Sequence, residues 1–137
     1  LVTPQPEMVQ RFRESGGGDK PVQAGLKVCY GADAGAALET AHRIWANEEL
    51  PGELAQVLPD TEHFEQASSL VTPEMVGETV PCGPDLDKHL KAIQRFADAG
   101  VDELYVQQIG GDHDAFFNAY REEVLPRFAV EPAAASR

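Results

Sequence analysis

The stretch "LYVQQIGGDHDAFF", Leu104 to Phe117, decides how this chain is to be read. Leu104 and Val106 alternate with Tyr105 and Gln107, the period-two pattern of a strand. Gly110-Gly111 ends it, and Asp112-His113-Asp114 opens a helix, since a short acidic side chain accepts from the free N–H groups at a helix start. As a metal site the same three residues fail on geometry. Sequence neighbours point in different directions, and a closed site needs three or four convergent ligands. The double glycine has a second reading as a candidate cofactor contact. Its backbone N–H groups can approach a phosphate at the head of the next helix, and barrels bind phosphate at late strand-to-helix loops. The two aspartates beside it oppose that.

Working outward, a second strand lies in "PVQAGLKVCYG", Pro21 to Gly31. Val22, Ala24, Leu26 and Val28 alternate with Gln23, Gly25, Lys27 and Cys29. Asp33 can cap a helix carrying Leu38, Ala41 and Trp45 on one face, and Leu86, Leu90, Ile93 and Phe96 mark another that stops at Gly100. A first helix begins at Thr3-Pro4, with Met8, Val9 and Phe12 apolar, and ends at Gly16-Gly17-Gly18. The last runs from Asp114 to Phe128, with Phe117, Tyr120, Val124 and Phe128 on its apolar face. Between Glu48 and Leu70 the pattern breaks into an excursion with at most short helices, and Thr72-Pro73 restarts a helix before the "PCGPD" turn.

The order is therefore α, β, α, insertion, α, β, α. Alternating strands and helices pair in parallel, and parallel sheets need several strands with both faces covered. Two strands fall short of that, so the chain reads as part of a larger α/β domain, and the alternation favours an incomplete (β/α)8 TIM barrel over an open sheet. Residues 1–130 form that portion, and 131–137 a disordered tail. In a barrel, apolar strand positions face the helices and the others face the interior. Gln23, Gly25, Lys27, Glu103, Tyr105 and Gln107 then point inward, and Lys27 is expected to pair with Glu103, because a lone buried charge is costly.

Composition narrows the function. A net charge of −12, with 11 scattered basic residues, disfavours nucleic acid, and no apolar run is long enough for a membrane span. Cys29 and Cys82 give neither a disulfide framework nor a zinc spacing, which suggests a reducing cytoplasm and no metal. Glu62-His63-x-Glu65 lacks the spacing of a zinc protease helix, leaving His63 at the surface. His42 and His89 read as solvated, Trp45 as core, and Cys29 as a small core residue.

The order and spacing of LPGEL, HFEQAS, CGPD, DAGVDELYV-QIGGD and EVLPRF resemble the C-terminal part of luciferase-like flavin and deazaflavin oxidoreductases. The branch is the coenzyme F420-dependent group related to glucose-6-phosphate dehydrogenase. The resemblance implies that the chain is the C-terminal part of an α/β (β/α)8 TIM barrel, its last two βα units plus an insertion, in a homodimer, with hydride transfer between a small-molecule substrate and F420. It places the principal catalytic residues in strands that precede this segment, so no catalytic residue is assigned here and the chain alone is expected to be inactive. It implies that Leu50, Pro51 and Leu54 line the substrate wall and that Gln107 faces the pocket as a cofactor contact. It also sets Thr79, a pocket candidate, and Glu78 where sugar-phosphate enzymes carry a basic residue, which disfavours glucose 6-phosphate. Two alternatives stand beside it: the same barrel as an FMN-dependent monooxygenase, and a non-catalytic interaction domain derived from a barrel half.

Overall fold

The computed structural model describes residues 4–128; the expected Thr3 cap and the 131–137 tail lie outside them. Strands β1 (Gln23–Val28) and β2 (Glu103–Gln108) pair in parallel, with Gln23 opposite Glu103 and Val28 opposite Gln108. The expected alternation sets their faces. Ala24, Leu26 and Val28 are buried, whereas Glu103, Tyr105 and Gln107 are exposed on the opposite face.

The helix that covers this sheet is α6, Leu86–Asp98 in a chain with α1 at Pro6–Phe12, α2 at Ala34–Trp45, α3 at Leu54–Val57, α4 at Thr61–Ser68 and α5 at Pro73–Thr79. Asp85 caps α6 by accepting from the Asp87 N–H, and Gly100, at φ +84°, takes the left-handed turn that ends it. Ile93 and Phe96 pack on the β1 side chains, each burial worth roughly 2 kcal/mol. β2 then starts against β1 through a reciprocal pair. The Val22 N–H donates to the Asp102 carboxylate at 2.7 Å, and the Asp102 N–H donates to the Val22 carbonyl at 3.0 Å. That backbone donor, with Arg13 at 2.8 Å, holds the Asp102 carboxyl below its usual range. Arg13, just past α1, donates to the Gly18 carbonyl at 3.0 Å, and its bonds to Asp102 and to the Gly100 carbonyl at 3.4 Å dock the end of α1 beside the start of β2. Of the expected α1 face only Val9 is buried; Met8 and Phe12 are exposed.

The closing helix comprises α7 (His113–Ala119), a wide π turn over Tyr120–Val124, and α8 (Leu125–Phe128). Asp112 caps it, accepting from the Ala115 N–H at 3.4 Å. Its apolar face corrects the expectation: Phe116 is buried and Phe117 is 64% exposed. The π turn carries more residues per turn than an α-helix, so Phe116, Tyr120 and Val124 share a face at spacing four.

The insertion is longer than its sequence pattern suggests. α2 does not pack on the sheet. Ala37 and Ala41 join Leu50, Val71, Val76 and Val80 in a second core that meets the strand ends only at Cys29 and Ile109. The chain returns to β1 at Cys82, the residue bridged to Cys29. The Cys29 N–H donates to the Pro81 carbonyl and the Gly83 N–H to the Cys29 carbonyl, both at 2.9 Å. The excursion thus runs from the end of β1 to Cys82, not from Glu48 to Leu70, and α6 is the crossover helix. "PCGPD" is a turn that also carries a strand rung.

Two more expectations are corrected. Lys27 and Glu103 do not pair. The register puts Lys27 opposite Gln107, four residues or ~13 Å from Glu103 along the strand. Lys27 bonds Glu48 at 2.5 Å, while Glu103 accepts from Gln23 Nε2 at 2.6 Å. His89 is not solvated but fully buried, and His42 is half-buried, its Nε2 at 2.7 Å from the Val71 carbonyl. The apolar face of α6 is wide enough to take His89 in, because Tyr120 and Gly83 supply its partners.

Candidate functional site

On the interior face of the sheet, toward the C-terminal ends of the strands, lies a cleft of about 330 Å³. Its floor is Gly25 and Lys27 of β1 with Tyr105 and Gln107 of β2. Its roof comes from the insertion: Glu48 and Glu49 from the 3-10 turn Ala46–Glu49, and Thr79 and Val80 from the end of α5. Gly25 lies directly opposite Tyr105 in the register. A Cβ added at Gly25 would meet nothing within 4 Å, and Tyr105 is 63% exposed. A bare strand beside an open aromatic ring offers a flat apolar platform, against which a planar ring can lie.

The polar groups are held in place. The Lys27 ammonium bonds Glu48 Oε2 and sits 4.5 Å from the Trp45 ring centroid, a cation–π contact. Trp45, half-buried against the second core, supports that lysine rather than the cleft itself. The Thr79 hydroxyl is 2.5 Å from Glu49 Oε1. Gln107 adds an amide that can donate and accept without titrating.

The candidate residues fall into three places. Gln107 and Thr79 meet in this cleft. Gly110 and Gly111 line a separate, shallower groove of about 170 Å³ at the strand ends, with Cys29, Asp33 and Thr40. Leu50 is buried in the second core, behind the wall that Glu48 and Glu49 form, while Pro51 and Leu54 are exposed and line neither hollow. Sequence reading passed over Glu48 and Glu49. The signal was present in "WANEELPG", where two adjacent acids precede a proline at the edge of the insertion.

Gly110, at φ +89°, is a left-handed turn, and an added Cβ would lie 3.2 Å from Thr40 Cγ2. Gly110→Ala should therefore cost about 1–2 kcal/mol in urea unfolding. Gly111→Ala, whose Cβ meets nothing within 4 Å, should change stability little. Burial pushes the Cys29 thiol up and, with Cys29 nearby, the Cys82 thiol to about 11, so neither is a ready nucleophile. His63 lies on the exposed α4, 3.2 Å from Asp60. Among the described residues no group of three or more His, Cys, Asp or Glu could hold a metal ion, and no helix is long and apolar enough to cross a membrane.

An α/β unit with a parallel strand pair, a crossover helix and a cleft at the C-terminal strand ends is the layout of part of a TIM barrel. The fold is similar to that of a solved F420-dependent secondary alcohol dehydrogenase in complex with an F420-acetone adduct. The TM-score is 0.71 at 22% identity, covering 91% of this chain and 38% of that one. No family model matches the chain. It is similar to curated F420-dependent glucose-6-phosphate dehydrogenases. It is 30% identical over 102 residues to that of Microbacterium testaceum (strain StLB037), and 28% identical over 102 residues to that of Amycolatopsis mediterranei (strain U-32). Each match takes in 74% of this chain and 30% of the relative, so the chain spans under a third of the length of these proteins. The resemblance read from the sequence is thus borne out, and the partial coverage fits a C-terminal portion.

Proposed function

We propose that this chain is the C-terminal portion of an F420-linked oxidoreductase and supplies one wall of its substrate and cofactor cavity. The observation that carries this reading is the placement of the cleft. It lies on the inward face of the strands, at their C-terminal ends, where barrel enzymes keep their sites. The insertion roofs it, and the relatives are F420-dependent dehydrogenases.

The residues present fit a deazaflavin on one side. Gly25 and Tyr105 provide a flat surface, and the Gln107 amide can bond a ring carbonyl or N–H. When bound, F420 would supply the hydride-accepting centre. The chain's own contribution is to orient the substrate against that surface, and Leu50 and Val80 keep the wall behind it dry. Gly110 and Gly111 are proposed as a second cofactor contact in the neighbouring groove, and Pro51 and Leu54 as outer substrate contacts. An apolar groove of about 520 Å³ between α6 and α8, along Leu104 and Val106, is where a helix of the remaining barrel would pack. Homodimer formation and a cytoplasmic setting belong to the same reading.

Two strands and the insertion supply one wall of such a cavity, and one wall does not enclose the coenzyme against its substrate. The 137-residue chain should therefore give no coenzyme turnover, while the full-length protein that carries it should. Titration of both with F420 and with FMN, followed by absorbance, tests this. Turnover by the 137-residue chain itself, or tight FMN binding without F420 binding by the longer protein, would refute it.

A further inference from the structure

We infer that Glu49 is a specificity-determining residue, held by Thr79, that makes the cleft accept an uncharged alcohol and refuse a phosphate ester. The inference deepens the oxidoreductase reading and rests on it.

The charges around the cleft carry the argument. Its described lining contains one cation, Lys27, and two carboxylates, Glu48 and Glu49. Lys27 is occupied: Glu48 lies 2.5 Å from its ammonium, and Trp45 covers it from 4.5 Å. Freeing it for a phosphate would break both contacts and leave Glu48 unpaired beside a dianion. Among the described residues Glu49 has no cation partner. One of its oxygens meets the Thr79 hydroxyl, which orients the carboxylate, and the carboxylate keeps acceptor capacity for a ligand. A fixed carboxylate accepts a substrate hydroxyl well and repels an anion at the same distance. At ~4 Å that repulsion is worth a tenfold or larger loss of affinity. Gln107 on the opposite side can donate to a carbonyl or hydroxyl oxygen, so the two groups can bracket one C–OH carbon. Grip on a phosphate needs a cation free to turn toward it, and the one in the described lining is held by Glu48.

The test separates this inference from the cofactor assignment. In the full-length protein without F420, inorganic phosphate and glucose 6-phosphate are titrated calorimetrically into wild type, Glu49→Gln, and Glu49→Gln/Thr79→Arg. The first substitution keeps shape and removes charge; the double one adds a cation. Wild type should bind neither probe measurably, and affinity should rise by about tenfold or more in the double variant. Phosphate-ester binding by wild type as tight as by the double variant overturns the inference, whatever F420 does. In a second arm, F420 reduction is followed with glucose and with glucose 6-phosphate. Equal or higher kcat/KM for the phosphate ester also overturns it. Failure to bind F420 at all sinks the oxidoreductase reading instead, and leaves the phosphate titration as the deciding result.

Discussion

His89→Ala should lower the unfolding free energy by about 3 kcal/mol, from loss of a packed side chain and the stranding of two buried polar partners. His89 is wholly enclosed, 0% exposed, among Tyr30, Tyr120 and the Gly83 backbone. The Gly83 carbonyl can only accept, so Nε2 carries the ring proton and donates to it at 3.1 Å. Nδ1 then accepts from the Tyr120 hydroxyl at 2.8 Å. Burial keeps the imidazole neutral by lowering its pKa from 6.5, and burial also pushes the Tyr120 phenol well above its ordinary value. The folded pKa is the lower one, so between it and 6.5 the unfolded chain binds the extra proton. The stabilisation is whole above 6.5 and is lost as pH falls through 6.5 toward the folded value. Chemical denaturation from neutral pH to pH 5 should show that slope, at most about 1.4 kcal/mol per pH unit, in wild type; the alanine variant should lack it. An unchanged slope in the variant would reassign the pH dependence to other groups.

Gly83→Ala is expected to be comparably damaging for a different reason. Gly83 sits at φ +92°, and an added Cβ would lie 2.8 Å from Ala34 Cβ and 2.9 Å from Ala34 Cα. Left-handed strain of ~1 kcal/mol adds to a backbone collision of ~1–3 kcal/mol. The collision cannot be relieved by a side-chain rotation, because Ala34 starts α2 just after its Asp33 cap. The Gly83 N–H also donates to Cys29, and its carbonyl accepts from His89, so displacement loosens both. Thermal unfolding should show a drop of several degrees or more. A wild-type midpoint would mean that α2 yields at its first turn.

The two strands and their faces were legible because alternation is a local signal. Val22 to Val28 could be sorted by eye, and burial follows that sorting. The caps at Asp33, Thr72 and Asp112 were legible for the same reason. What sequence could not give was which apolar face meets which. α2 and α6 both follow the first strand and both carry an apolar stripe, yet only α6 covers the sheet. The Lys27–Glu103 expectation failed because pairing by charge ignored register, and one strand rung is ~3.3 Å. His89 was misread because a histidine on a helix gives no local sign of distant partners, and Tyr120 lies 31 residues away. Of the cleft, the floor was visible as inward strand positions. The roof was not, since Glu48 and Glu49 reach it only through the fold of the insertion.

The rung between Cys29 and Cys82 carries a consequence for how such a chain can change. Everything between these two residues departs from one point of the scaffold and comes back to the neighbouring point, with its own apolar core. The segment is therefore modular. Beyond Tyr30, which packs on His89 of α6 and is bonded by the Gln108 amide of β2, it can lengthen, shorten or be exchanged for another loop without asking β1, α6 and β2 to move. Grafting the corresponding segment of a relative between Tyr30 and Cys82 would replace the roof of the cleft in one step, and with it the Glu48 and Trp45 that hold Lys27, while the strands beneath keep their register.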